Sequence, residues 1–378
     1  PNAVTSFNRW SRLAQAMVRR LLMVLLSMYF DDGNMQDWGD SAKETQELVA
    51  EFMKALGSPW AEKKRQDCGE EADFLGLVHN VSKASEGVVR FWPRLALLDK
   101  VQATIVIAKQ SGLPPAMAAK LFGTVNFLEC GMFARVGRGG LSALKDRQYM
   151  KVTLGPSKQK AEARGEGHPY ALTPQLEEAL HLIRDVLSLR PRREFWLTNL
   201  AFPRLLVASD AAYEAGVGTA GFLMVRQPGK GSEFRMGRAI RVPPSIYSLW
   251  GEKQTYIAQL ELMAVLVAMT VAAPVIRGTR GLWLVDNVAA LMALTNGTSR
   301  EPSLEKMAKI VHLALFALKT SAYYEYVESD ANWSDQISRQ SLEGIWAAEN
   351  GFDPEWCPAC EELWSMPTVV IVKVFQFL

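Results

Sequence analysis

Apolar positions recur every three to four residues through much of this chain, and short strand-like runs interrupt them. Phe7, Trp10, Leu13, Met17 and Leu21 share one face of a predicted helix over residues 3–22. An apolar run from Leu21 to Phe30 then meets Asp31-Asp32-Gly33-Asn34, which predicts a β-hairpin with two adjacent carboxylates at its tip. Ser41 and Glu44 have capping-box spacing at the start of an amphipathic helix over residues 41–56, and Gly57 stops it. Phe74 to Val78 reads as a strand with Val88 to Trp92 as its partner. Residues 94–133 are helical with a break at Gly112-Leu113-Pro114-Pro115, and Thr173-Pro174 opens a further helix to Leu189.

Arg190-Pro191-Arg192-Arg193 marks the boundary to a second part. Strands are predicted there at 204–209 (ending in Asp210), 218–225 and 237–242, then a helix at 256–272 and a strand at 282–285 ending in Asp286. Helices at 288–294 and 304–318 precede a strand at 323–328, and Asn332 or Ser334 caps a short helix carrying Asp335. Together these elements make an α/β (α+β, multidomain) architecture with a mixed sheet flanked by helices. Trp346, Trp356, Trp364 and the apolar tail Val369 to Leu378 fit no element of this pattern; the tail reads as a strand, a degenerate extension or an aggregation-prone end.

With 378 residues, 49% of them hydrophobic, the chain can build two or three cores. A net charge of +2 is nearly neutral, so a nucleic-acid partner has to be argued from local patches. One such patch runs from Arg135 to Arg164, where Arg135, Arg138, Lys145, Arg147, Lys151 and Lys158 are among the basic residues and Asp146 and Glu162 are the acids. That stretch suits either a phosphate backbone or a solvated linker. Lys230, Arg235, Arg238 and Arg241 suggest a second contact or an exposed insertion. Four cysteines, with Cys68 and Cys130 well apart, suggest a reducing compartment inside the cell, and Cys357-Pro-Ala-Cys360 lacks a second ligand pair for zinc. The longest apolar stretch, Leu262 to Ile276, is too short to span a bilayer, so no membrane partner is expected.

The acids of the second part carry the chemistry. Asp210 and Asp286 end predicted strands, Asp335 begins the last helix, and Glu261 interrupts an otherwise apolar helix. A carboxylate buried there without a partner is costly, and a divalent cation would remove that cost. Each acid alone reads as a cap or a surface charge; four in this order point to a metal site.

Ser209-Asp210-Ala211-Ala212, Gln259-Leu260-Glu261-Leu262, Val285-Asp286-Asn287 and Asn332-Trp333-Ser334-Asp335-Gln336-Ile337-Ser338-Arg339 together resemble the ribonuclease H domain of retroelement reverse transcriptases. The last motif is similar to an Asn-x-x-Asp-x-x-Ser-Arg ending of retrotransposon versions. The resemblance implies that Asp210 bridges two Mg²⁺ (or Mn²⁺) ions, with Asp335 on the water-activating one and Glu261 and Asp286 on the other. It implies as substrate the RNA strand of an RNA–DNA hybrid, recognised through its 2′-hydroxyls. Some members carry a histidine in a loop before the last aspartate; His312 falls in a predicted helix and takes no such role.

The first part resembles a reverse transcriptase. Tyr29-Phe30-Asp31-Asp32 is similar to the palm signature, Phe7-Asn8-Arg9 to the preceding palm motif, and Phe74-Leu75-Gly76-Leu77 to the primer grip. Lys63 or Lys64 falls where the family carries a lysine that assists pyrophosphate departure, and Leu121 to Phe133 is similar to a thumb helix. Tyrosine-recombinase or related retrotransposons are the nearest subgroup. The expected organisation is a partial palm over 1–93, a thumb and connection over 94–195, a ribonuclease H-like domain over 196–340 and an unassigned tail over 341–378. The chain starts after the position of the family's third palm aspartate, and the fingers are missing, so no independent DNA synthesis is expected. Template-primer nucleic acid and the remainder of the polymerase are the implied partners. The alternatives are an inactive relic that only binds nucleic acid and an integrase-like nuclease.

Overall fold

In a computed structural model, described over residues 2–131, 135–150, 170–197, 204–227, 233–339, 342, 345–359 and 361–378, the chain divides into two units. Residues 1–97 with 194–197 form the first, and residues 98–193 with 198–378 form the second.

The first unit opens with helix α1 (Asn2–Leu21), followed by the antiparallel hairpin β1 (Leu25–Tyr29) and β2 (Asp32–Gln36). Ser11, Gln15 and Arg19 recur every four residues on α1, so they form one stripe. That stripe serves the outer side of the hairpin. Ser11 Oγ donates to Phe30 O (2.6 Å), Gln15 Oε1 accepts from Met28 N (3.0 Å), and Arg19 Nε donates to Leu26 O (2.7 Å). Backbone groups that an edge strand leaves open are thereby satisfied by the helix. Ala14 and Val18 of α1, Val24 and Leu26, and Val49 and Met53 of α2 (Ala42–Ala55) form the core beneath. The expected capping box does not form: Ser41 Oγ donates back to Trp38 O at 3.3 Å, and no side chain caps α2.

A four-stranded sheet completes this unit in the order β3 (Glu71–Phe74), β4 (Leu77–Asn80), β5 (Val88–Pro93), β6 (Arg193–Trp196). The single strand expected over Phe74–Val78 is in fact a tight hairpin. Leu75 (φ 52) and Gly76 (φ 78) are both left-handed, as a two-residue turn of this kind demands, and they reverse the chain between β3 and β4. The β4–β5 pairing is present, and Arg90 Nε meets Glu194 Oε1 at 2.8 Å where β6 joins β5.

In the second unit, α3 (Leu95–Ser111), α4 (Pro115–Leu128), α5 (Leu141–Gln148) and α6 (Pro174–Ser188) come before the large sheet. Thr173 caps α6 through Leu176 N (3.3 Å), and Leu176, Ala179, Leu180, Ile183 and Leu187 line its buried stripe. The sheet contains β7 (Arg204–Glu214), β8 (Val217–Gln227), β9 (Phe234–Arg241), β10 (Arg280–Val285), β11 (Ser321–Tyr326) and β12 (Pro354–Trp356). Its order is β11-β10-β7-β8-β9-β12, with β7–β8–β9 antiparallel and β11, β10 and β7 mutually parallel. The architecture is the expected mixed α/β one.

The helices of this part are α7 (Pro244–Trp250), α8 (Ile257–Val271), α9 (Ala273–Ile276), α10 (Val288–Asn296), α11 (Pro302–Leu318), α12 (Asp335–Ser338), α13 (Ile345–Glu349) and α14 (Thr368–Phe377). Residues Gln259 to Met269 of α8 are all buried, so this helix is covered on every side, with β7 and β8 on one flank and α11 on another. A Cβ at Gly218 would run into Leu260 of α8, and one at Gly221 would touch Ile337 of α12. Those two glycines point to opposite faces of β8, so helices cover both faces of the sheet.

The residues after 340 are part of this unit. β12 adds in parallel to β9, Phe352 and Ala347 join Leu223 and Ile337 in one apolar cluster, and α14 packs on α11 and α6. The tail Val369 to Leu378, for which a strand is one of three readings from the sequence, is a helix. Its β-branched run favours a strand locally, but Ile371, Val372 and Phe375 fall on one helical face and are buried there. Arg277 Nη2 donates to Phe375 O (3.0 Å) and Gln376 O (3.1 Å) at the helix end, where a cation is favoured.

Candidate metal centre

β7 and β10 run parallel with Ser209 beside Val285, and β10 ends there. Asp286, the next residue, therefore emerges beside Asp210. Asp210 does not end its strand, as expected from the sequence; β7 continues to Glu214 because its hairpin with β8 does. Beyond Ser209, however, β7 has lost its neighbour on the β10 side, and the Ala211 N–H needs another acceptor. Glu261 of α8 supplies it, with Oε1 accepting from Ala211 N at 3.2 Å. The strand end thus explains why a carboxylate is placed inside an apolar helix.

One oxygen from each of Asp210, Glu261 and Asp286 lies within 4.8 Å of the others. Asp210 and Glu261 are buried, and Glu261 Oε2 has no hydrogen-bond partner. Burial raises the Asp210 pKa to about 7, with the nearby charges of Asp286 and Asp335 adding to the rise and the hydrogen bond from Ser338 opposing it. Burial and then the charges of Asp210 and Asp286 raise Glu261 well above the usual carboxylate range. Three converging acids with an orphaned buried oxygen fit a hard divalent cation, and an all-oxygen set suits Mg²⁺ or Mn²⁺ rather than zinc.

Asp335 stands apart from this triad. It is close enough to raise the Asp210 pKa, but Arg339 Nε lies 2.5 Å from its Oδ1, without the alignment of a hydrogen bond. The short helix that carries it is not capped by a side chain, contrary to expectation. Asn332 instead donates from Nδ2 to Ser209 O (2.9 Å), while Ser334 Oγ donates to Asn332 Oδ1 (2.7 Å). Two serines contribute as well: Ser329 Oγ donates to Asp286 Oδ2 (3.0 Å), and Ser338 Oγ donates to Asp210 Oδ2. Sequence reasoning missed both. Ser338 had a signal, its fixed place in the Asn-x-x-Asp-x-x-Ser-Arg ending; Ser329 had none.

Other expected site residues are placed elsewhere. Asp31 and Asp32 are exposed at the turn of the β1–β2 hairpin, and among the described residues no third acid joins them in a cation-sized cluster. Lys63 and Lys64 are exposed in a short turn over Glu62–Lys64. His312 is buried in α11, its Nε2 is 2.8 Å from Leu294 O, and burial lowers its pKa to about 4, in keeping with a core residue.

The basic stretch divides in the structure. Arg147 shares the buried stripe of α5 with Leu141 and Leu144, and donates to Leu113 O (3.3 Å) and Ala171 O (2.6 Å), so it is not available to a phosphate. Arg138 Nε pairs with buried Glu129 at 3.2 Å. Both Arg135 and Arg138 flank Gly297 at the C-terminus of α10, whose partial negative charge they complement. Lys145 is exposed, and Lys151 and Lys158 lie outside the described residues. Arg147→Met should lower unfolding stability by about 2 kcal/mol, because the buried Leu113 carbonyl and the partly buried Ala171 carbonyl lose their donor, whereas Lys145→Ala should leave it unchanged; urea titration separates them.

Arg235, Arg238 and Arg241 are engaged by the C-terminal segment. Arg235 Nη1 donates to Asn350 O (2.6 Å), Arg238 pairs with Glu355 (2.9 Å), and Arg241 sits over the Trp356 ring at 4.9 Å. Lys230 lies outside the described residues. Cys357 Sγ is 3.5 Å from Ala239 O, and Cys360 also lies outside them.

No protein-family model matches the chain, and no curated protein matches it. Among solved structures it is similar to ribonuclease H1 from the halophilic archaeon Halobacterium salinarum, at 18% identity over 37% of this chain and 99% of that one, with a TM-score of 0.27. It is also similar to the N-terminal ribonuclease H domain of a Mycobacterium tuberculosis protein fused to maltose-binding protein, at 16% identity over 39% and 98%, with a TM-score of 0.28.

Proposed function

We propose that this chain is a divalent-metal-dependent nuclease of the ribonuclease H type, acting on the RNA strand of RNA–DNA hybrids. The observation that carries this is the buried triad of Asp210, Glu261 and Asp286 at the end of two parallel strands, with Glu261 Oε2 unpartnered. These residues would hold Mg²⁺ or Mn²⁺, with Asp335 completing the set from α12. Bound ions of this kind activate a water for attack on a phosphodiester and stabilise the departing 3′ oxygen. The protein's own part is to keep three carboxylates together in a water-poor site, where Asp210 and Glu261 must give up protons for a cation to enter.

The wider assignment is a reverse-transcriptase-derived retroelement polypeptide. Residues 1–93 are then a palm remnant with Asp31, Asp32, Lys63 and Lys64, residues 94–195 a thumb and connection, 196–340 the nuclease and 341–378 its C-terminal extension. Exposed Lys145 and half-buried Arg135 remain as contacts to the nucleic-acid backbone, together with Lys151 and Lys158. The exposed Asp31–Asp32 pair, which no third acid joins among the described residues, supports no independent DNA synthesis.

An end-labelled RNA–DNA hybrid, an RNA duplex and a DNA duplex incubated with Mg²⁺ or Mn²⁺ test the proposal. Cleavage of the hybrid alone is expected, with Asp286→Asn reducing the rate at least about a thousandfold. An uncut hybrid with both metals would sink it. The second reading, an inactive relic that binds nucleic acid, draws on the position of Asp335, which is occupied by Arg339 outside the triad. Retention of hybrid on a filter without cleavage is its outcome.

A further inference from the structure

Segment 329–339 crosses the end of β7 and β10 and reaches the triad with side chains other than acids. Its first anchor is Asn332, whose amide is bonded to Ser209 O, the carbonyl just before Asp210. A second anchor is Thr219 of β8, whose Oγ1 donates to Ser338 O at 2.6 Å. Ser338 is thus held by its own backbone against the sheet, and it is buried, with 1% of its surface exposed. From that fixed position its hydroxyl donates to Asp210 Oδ2. Ser329 makes the analogous bond to Asp286, but from an exposed turn where water competes.

A carboxylate beside two other acids is repelled by both and turns away from them unless something holds it. A neutral donor holds one oxygen without adding charge, and the second oxygen stays free for a ligand. We infer that Ser338 is a positioning residue of the metal centre: its hydroxyl, clamped by Thr219 and by the Asn332 anchor, sets the orientation of the Asp210 carboxylate for cation binding. This rests on the metal-centre reading above and adds a residue to it that is not itself a ligand. Outer partners of metal ligands commonly contribute about ten- to a hundredfold in affinity.

Mn²⁺ titration of the full chain without nucleic acid, followed by calorimetry, tests the inference, with circular dichroism to show that each variant is folded. Ser338→Ala is expected to raise the Mn²⁺ Kd about tenfold. Ser338→Thr, which keeps the hydroxyl, should return it to within about threefold of wild type, and Ser329→Ala should shift it less than Ser338→Ala. A folded Ser338→Ala chain that binds Mn²⁺ as the wild type does overturns the inference, as does a folded Ser338→Thr chain impaired as much as the alanine variant. Failure of the wild type to bind Mn²⁺ overturns the metal-centre reading and this inference with it. A wild type that binds Mn²⁺ without cutting hybrid overturns the nuclease assignment alone, because the Kd comparison contains no substrate.

Discussion

In EDTA at pH 8, Asp210→Asn should unfold several degrees above the wild type, and with Mg²⁺ it should cleave hybrid at least about a thousandfold more slowly. Burial is the main cause of the raised Asp210 pKa, followed among the raising effects by the charges of Asp286 and Asp335. The folded chain holds this proton up to about pH 7, whereas the unfolded chain releases it near 3.8. Between those values the folded state binds more protons, so the contribution of this group to stability is fully present below about pH 4 and is lost as pH rises through 7. A shift of this size corresponds to a few kcal/mol at most. Asparagine keeps the shape and an acceptor for Ser338 but carries no charge, so the variant escapes that loss. At pH 5 the gap between the two proteins should be smaller than at pH 8, because less of that contribution has been lost. At pH 8, Mg²⁺ should raise the wild type more than the variant. Thermal unfolding at both pH values, with EDTA and with Mg²⁺, decides it; a variant less stable than wild type at pH 8 in EDTA would show that burial does not strain this carboxylate.

Gly218→Ala is expected to cost about 3 kcal/mol of stability and to weaken Mn²⁺ binding as well. An added Cβ would lie 2.3 Å from the Tyr247 hydroxyl oxygen and 2.7 and 2.9 Å from the two Leu260 methyls. Neither neighbour can swing away. Tyr247 is packed among the rings of Tyr213, Trp250 and Tyr256, with centroids 6.0, 5.7 and 4.9 Å away, and Leu260 is wholly buried. The strain therefore falls on α8, and Leu260 directly precedes Glu261. Gly39→Ala is the matched comparison, since an added Cβ there meets nothing within 4 Å. Urea unfolding of both variants with a parallel Mn²⁺ titration reads the two effects. Wild-type stability in Gly218→Ala would mean that β8 and α8 separate freely.

The site was legible wherever one residue contradicted its surroundings. Glu261 in an apolar helix and Asp286 after an apolar strand stand out without any structure, because a lone charge in such a run needs a reason. The order of strands and helices was legible for the same cause, a periodic burial pattern. Ser329 was not, since a serine carries no hydropathy signal and its partner is far away in sequence, and Ser338 showed only as a member of the Asn-x-x-Asp-x-x-Ser-Arg ending. Arg147 misled because charge counting treats every cation as exposed, whereas this one sits on the apolar stripe of α5. Leu75-Gly76 hid a turn inside an apolar run. The C-terminal helix was hidden by its valines and isoleucine, whose local strand preference is overridden by packing on α11 and α6.

The C-terminal segment also limits how this molecule can associate with itself. One margin of its large sheet ends in β12, only three residues long and side-on to β9. Among the described residues the opposite margin, β11, is six residues long and has β10 alone as a neighbour. A sheet with two long open margins can add copies end over end without limit, and that is how fibres grow. Here the chain has blunted one margin with its own tail. Strand pairing between copies through this sheet would therefore use β11 and close at a two-fold pair.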